Sequence, residues 1–281
     1  MRIGVHVSIA GGIDKAPKRA SDLGCECFQI FSKSPHGGDY GAKLADAIAD
    51  NFKKECARYG FRDYYIHSPY YINFGSSNNR IFYGSVNAIK KELETANLIG
   101  AKYVITHLGS AKDLGEEEAF EKTIQGLKLA LEGYEGKADL LIEISAGAGA
   151  IIGDSFDEIG DIIKKIKNKK IGVCFDTAHA FESGYDLRTS QRVKNVFTEF
   201  DKKIGLEKLK LIHCNDSKTD LGSRSDRHED IGKGKIGIEG LKAVIQFAKS
   251  QRRLNVIAET PYKIDGDDKR NLEVLKGMRG E

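Results

Sequence analysis

Eight short, apolar runs rich in β-branched and aromatic residues recur along this chain, at residues 3–7, 27–31, 64–67, 103–107, 140–144, 172–175, 209–213 and 255–258. Runs of this length and composition predict buried strands. Between them lie stretches with apolar residues three and four apart, the spacing of a one-faced helix: 13–23, 44–59, 80–99, 116–131, 156–166, 192–204 and 239–250. A short, highly charged helix is expected from about Arg270. Parallel neighbouring strands need a crossover connection, so strict strand–helix alternation predicts a parallel sheet. Eight such units predict closure into a (β/α)8 TIM barrel over residues 1–281, a single domain with its active site at the C-terminal ends of the strands. An open, doubly wound sheet is the competing architecture. No Pro/Gly/Ser-rich linker divides the chain, and its four prolines are scattered.

Charge restricts the partners. Lys and Arg number 44 and Asp and Glu 41, a net charge of +3. A polyanion must then be attracted by a local patch or by bound metal ions. The basic run at 164–170 reads as a solvated helix end. Five cysteines, an odd number with no leader ahead of them, fit a reduced, cytoplasmic setting. Cys25 and Cys27 are too close for a usual zinc knuckle and read as strand packing. Cys174 and Cys214 read as core. No apolar run reaches the roughly 18 residues of a membrane span, and no Walker or Rossmann glycine pattern is present.

Side chains at the C-terminal ends of barrel strands converge on one mouth. Those positions hold His67, His107, Glu143, Asp176, His213 and Glu259, spaced 33 to 46 residues apart, about one βα unit each. His179 follows Asp176 by three residues, and Asp226 and His228 lie in the longest irregular segment, 217–237. Taken singly, a strand-end His is a satisfied hydrogen-bonding residue and Asp176 a helix cap. Taken together, five of the seven histidines join four carboxylates, the ligand chemistry of zinc and similar divalent ions. Nine ligands exceed one ion and suit two or three, with Glu143 placed to bridge. Such centres suit phosphodiester hydrolysis, because metals acidify a bound water and stabilise attacking and leaving oxygens.

The chain resembles endonuclease IV, the zinc-dependent apurinic/apyrimidinic endonuclease family. The matching stretches are GVHVSIAGG (4–12), HSPYYINFGS (67–76), THLGS (106–110), IEISAG (142–147), VCFDTAHAFESGYDLRT (173–189), HCNDSKTDLGSRSDRHEDIGKGKIG (213–237) and AETP (258–261). The resemblance implies a trinuclear zinc site, and the His/carboxylate ligand chemistry also admits manganese at one position. It gives His67, His107 and Glu143 to one ion, Glu143, Asp176, His213 and Glu259 to a second, and His179, Asp226 and His228 to a third. It implies hydrolysis on the 5′ side of an abasic site in double-stranded DNA, leaving a 3′-hydroxyl and a 5′-deoxyribose phosphate, and removal of blocked 3′ ends. Glu143 and Glu259 would be catalytic, Glu259 by positioning or deprotonating the attacking water, while the third group stabilises the leaving 3′-oxygen. Tyr70 and Tyr71 match the pair that enters the duplex as the abasic nucleotide leaves the stack. No membrane or obligate protein partner is implied.

Two stretches depart from the family pattern. The family places an Arg and a Trp in the loop after the second strand, where this chain reads Ser34-Pro35-His36-Gly37-Gly38-Asp39 and has no Trp anywhere. His36, near the Arg position, is the candidate DNA contact there. Ile144 and Ser145 replace the usual Asn-Thr after the bridging Glu, a change expected to alter hydrogen bonds behind the ligands. Two other functions compete. A sugar isomerase or epimerase of the xylose-isomerase type needs only Glu143, Asp176, His213 and Glu259 around one metal. A lesion-binding module would recognise damage without cutting.

Overall fold

The computed structural model describes residues 1–34, 44–251, 254–260 and 267–280. Strands β1 (Ile3–His6), β2 (Cys27–Phe31), β3 (Tyr64–His67), β4 (Tyr103–Thr106), β5 (Asp139–Glu143), β6 (Ile171–Asp176), β7 (Leu209–His213) and β10 (Asn255–Ala258) form a closed barrel. Every neighbouring pair is parallel, and β1 pairs with both β2 and β10, which closes the ring and excludes the open sheet. Helices α1 (Ala16–Leu23), α2 (Asp46–Arg58), α3 (Asn79–Ile99), α4 (Glu116–Leu131), α5 (Phe156–Ile166), α7 (Ser190–Lys203), α8 (Gly237–Ser250) and α9 (Asp267–Arg279) connect or follow the strands. No described helix is long and apolar enough to cross a membrane.

The two-residue period of a strand sorts its side chains into two layers. On β2, Phe28 and Ile30 join the layer between barrel and helices, where Phe28 meets Phe52 of α2. Cys27 faces inward with Tyr65, Ile105, Leu141, Cys174, Leu211 and Ile257, which fill the barrel. Cys174 and Cys214 are both buried, and all five cysteines are free thiols. Gly4 lies where β1 meets β2, and a Cβ there would stand 1.7 Å from the Cys27 carbonyl oxygen, so no other residue fits.

Two additions were not legible as patterns. The six-residue helix α6 (Thr177–Glu182) follows β6 directly. The segment expected to be irregular carries a small antiparallel ribbon of β8 (Asp216–Ser217) and β9 (His228–Glu229). Six residues are under two helical turns, and two-residue strands have no alternation to read.

Candidate metal centre

Most of the expected ligands sit where a barrel strand ends or just beyond it. His67, Glu143, Asp176 and His213 are the last residues of β3, β5, β6 and β7, and His107 and Glu259 follow β4 and β10 by one. Asp176 is also a helix cap, because its Oδ1 accepts the backbone N–H of His179 at 2.9 Å. That bond starts α6 and turns His179 into the mouth, so cap and candidate ligand are one residue. His228 arrives on β9. The loop bearing it is tied down by Asp216, whose carboxylate accepts the N–H groups of Ser217, Gly232, Gly234, Ile236 and Gly237. Gly234 must be glycine, since a Cβ would lie 2.3 Å from the Ser217 carbonyl.

Three groups emerge: His67, His107 and Glu143; Glu143, Asp176, His213 and Glu259; and Asp176, His179 and His228. Within each, ligand atoms lie within 4.8 Å of one another. Glu143 belongs to two, with Oε2 3.0 Å from His67 Nε2 and 3.4 Å from His107 Nε2, and Oε1 2.8 Å from His213 Nδ1. Glu259 Oε2 is 3.0 Å from His213 Nδ1. Asp226 Oδ1 reaches His179 Nε2 at 3.3 Å and His228 Nε2 at 3.7 Å, from an exposed position on the rim.

The outer nitrogens fix what the inner ones are. His67 Nδ1 meets the Ser68 carbonyl at 2.7 Å, His179 Nδ1 the Ile144 carbonyl at 3.0 Å, and His228 Nδ1 the Glu259 carbonyl at 2.9 Å. His213 Nε2 meets Gln29 Oε1 at 2.8 Å. A carbonyl oxygen only accepts, so each of these nitrogens donates a proton and the opposite nitrogen presents a lone pair. Those lone pairs face carboxylate oxygens, and His179 Nε2 faces His228 Nε2 at 3.3 Å. Lone pairs in such contact repel unless a proton or a metal cation comes between. The donor set and its orientation therefore fit divalent ions.

A family model described as a xylose isomerase-like TIM barrel matches residues 17–278. A probable endonuclease 4 of Nitrosopumilus maritimus is 40% identical over 98% of this chain and 99% of its own length. Another, from Methanoculleus marisnigri, is 39% identical over 99% of each. The chain belongs to the endonuclease IV family. The solved endonuclease IV of Thermus thermophilus superposes with a TM-score of 0.88 at 34% identity, covering 99% of this chain and 98% of that one. A D-tagatose 3-epimerase-like protein also matches, with a TM-score of 0.75 at 20% identity over 99% of this chain and 97% of its own, a likeness of fold alone. Family membership and the clustered ligands make this chain an enzyme, a metal-dependent nuclease.

Electrostatics in this endonuclease IV barrel show how strongly the mouth demands positive charge. Burial opposes charge on His179 and His213. Asp176, Asp226 and Glu143 outweigh it for His179, and Cys174, Glu259 and Glu143 do so for His213, so both imidazoles are held well above their ordinary range. Burial pushes Glu143 up, but His213 and His107 overcome it and hold it well below the usual carboxylate value. Glu259 is held down in the same way by His213 against burial. Burial lowers His107, whose Nδ1 is buried with no hydrogen-bond partner.

The mouth opens into a cleft of about 1100 Å³ lined by His6, Phe31, Lys33, Tyr70, His107 and Glu259, among others. Tyr70 is 60% exposed, with its ring 5.2 Å from Phe31 and 6.2 Å from His67, so it borders the cluster directly. Tyr71, 41% exposed, stands beside it outside the cleft lining. His36 lies outside the described residues. The Ile144 departure is harmless to the bond behind His179, because Ile144 uses its backbone carbonyl there.

Three residues behind the ligands were missed. Asn215 donates Nδ2 to Asp176 Oδ2 at 2.6 Å and accepts the Glu259 N–H at 2.7 Å, joining two candidate ligands. Gln29 contacts both His213 and Glu259, and His6 Nδ1 lies 3.7 Å from Glu259 Oε1. The available signal was Gln29 itself, an amide at an inward position of the apolar run CFQIF.

Proposed function

We propose that this chain is an AP endonuclease: it hydrolyses the phosphodiester 5′ to an abasic site in double-stranded DNA and clears blocked 3′ ends. The nine ligands would hold three zinc ions, with manganese able to occupy one position, and residues 1–281 act as one domain. The observation that carries this reading is the facing pair of His179 and His228. Their Nε2 lone pairs stand 3.3 Å apart with both Nδ1 atoms donating to carbonyls. That pair lies outside the four ligands a single-metal sugar isomerase needs.

When bound, the ions would acidify a water and neutralise charge on the phosphate oxygens. The chain's own residues do the rest. Glu143, fully buried, holds the first two ligand groups together through its two oxygens. Glu259, at the edge of the cleft and kept ionised, accepts a hydrogen bond from the attacking water and so orients it. Attack at phosphorus breaks the P–O3′ bond, and the 3′-oxygen leaves to become a hydroxyl. His179, Asp226 and His228, which line the cleft, would stabilise the departing oxygen. Tyr70 and Tyr71, with His36, engage the duplex, and a flipped abasic nucleotide costs less unstacking than an intact one.

A 5′-labelled abasic duplex incubated with purified protein, with and without chelator, tests this. Incision ending in a 3′-hydroxyl, abolished by chelator and accompanied by about three metal ions per chain, is expected. Tight binding without incision would establish a lesion-binding module. One ion per chain and no incision would favour the sugar-isomerase chemistry.

A further inference from the structure

Gln29 is fully buried on β2 and is a polar residue facing into a strand interior that is otherwise apolar. Its amide touches three groups of the site. Nε2 lies 2.5 Å from Glu259 Oε1 and 3.0 Å from His6 Nδ1, and Oε1 lies 2.8 Å from His213 Nε2. The orientation of the amide is determined, not arbitrary. Glu259 offers only lone pairs, so the amide atom facing it is the NH2. The amide oxygen then faces His213 and forces its proton onto Nε2, which leaves the Nδ1 lone pair for Glu143 and Glu259. The second amide proton goes to His6 Nδ1, which must be a lone pair, so the His6 proton resides on Nε2. His6 packs its ring 4.4 Å from Phe31 and, like Glu259, lines the cleft.

We propose that Gln29 is a positioning residue: one amide sets which nitrogen of His213 serves as ligand, holds the Glu259 carboxylate, and makes His6 present an N–H donor to the cleft. The chemistry that fits such a donor beside Glu259 is a phosphodiester oxygen. This proposal rests on the nuclease reading above for the ligand it names, but the amide network stands independently of it. Polar groups behind metal ligands tune affinity because they fix the tautomer and direction of the ligand.

Histidine tautomers read the network directly. In zinc-loaded protein labelled with 15N-histidine, imidazole correlation spectra should show His213 protonated on Nε2 and His6 protonated on Nε2. In Gln29→Leu, His6 should lose its single tautomer. Competition with a chromogenic chelator should then show about 10- to 100-fold weaker retention of the ion held by His213 and Glu259, while the ion held by His179 and His228 is kept as in the unaltered protein. General loosening of the barrel would weaken all ions alike and would overturn the proposal. So would His6 protonated on Nδ1 in the unaltered protein, or a Gln29→Leu variant whose tautomers and zinc retention match it within about twofold. If Gln29→Leu does not fold, the spectra of the unaltered protein decide. None of these readouts uses DNA cleavage, so a protein unable to incise abasic DNA would sink the nuclease reading and leave this one to be judged on its own.

Discussion

The two ends of the barrel carry charge in opposite ways. At the end where strands begin, each buried or half-buried carboxylate has fixed cations. Asp63, just before β3, pairs with Arg2 and Lys102. Glu26, just before β2, accepts two bonds from Arg279 at 2.7 and 2.9 Å and the Ile3 N–H at 2.9 Å. At the mouth, among the described residues, no Lys or Arg forms an ion pair with any of the nine candidate ligands, and imidazole lone pairs face carboxylates instead. Burying charge is costly unless it is compensated. One end is therefore complete as a protein surface, and the other is built to be completed by cations it must recruit.

The largest expected effect breaks the mouth. Glu259→Gln keeps the shape of the side chain but removes the carboxylate, and kcat on an abasic duplex should fall by about 10²–10⁴-fold with duplex binding largely kept. A near-unaltered rate in single-turnover assays would remove Glu259 from the chemistry. Next is the duplex contact. Tyr70→Ala should weaken abasic-duplex binding by about 1–3 kcal/mol, and Tyr71→Ala, set outside the cleft lining, by less. Fluorescence anisotropy that ranked them the other way would move the inserting role to Tyr71.

The closed end should answer differently. Asp63→Asn leaves Arg2 and Lys102 facing a neutral amide and should cost about 1–3 kcal/mol of stability in urea titrations, with kcat unaltered. A loss of kcat comparable to that of Glu259→Gln would end the division of labour between the two ends.

The smallest effect concerns pH. His179 and His213 have folded values raised above the ordinary 6.5. In metal-free protein their contribution to stability is fully present below about 6.5 and is lost as pH rises through those higher values. Metals compete with protons for the same lone pairs and bind more tightly as pH rises. The gap in Tm between zinc-loaded and chelated protein should therefore widen from about pH 6 to about pH 9, by a few degrees. A gap that narrows over that range would show that the imidazoles are not the groups the metal displaces.

Much of this was legible in the sequence for a local reason. A strand's side chains alternate with period two and each βα unit restarts the count, so the residue ending each apolar run was bound to reach the mouth. His67, His107, Glu143, Asp176, His213 and Glu259 could be read that way, His179 by its place three residues after Asp176, and Asp226 and His228 from the long segment after β7. Asp226 is the weakest member by geometry: it stands on the exposed rim, while Asp176 shares the group of His179 and His228. Helix α6 and the β8–β9 ribbon escaped because they are too short to carry a period.

What the sequence alone determined is which residues are candidate ligands and the end of the barrel that gathers them. The tertiary structure decided which of them meet, and which nitrogen each histidine turns inward. Glu143 meets His213 across 70 residues of chain, and Gln29 meets Glu259 across 230. Such contacts follow from the register and closure of the ring, which bring β2 beside β1 and β1 beside β10. No local pattern encodes that closure, so the run CFQIF by itself does not announce that its amide stands between two candidate ligands and His6.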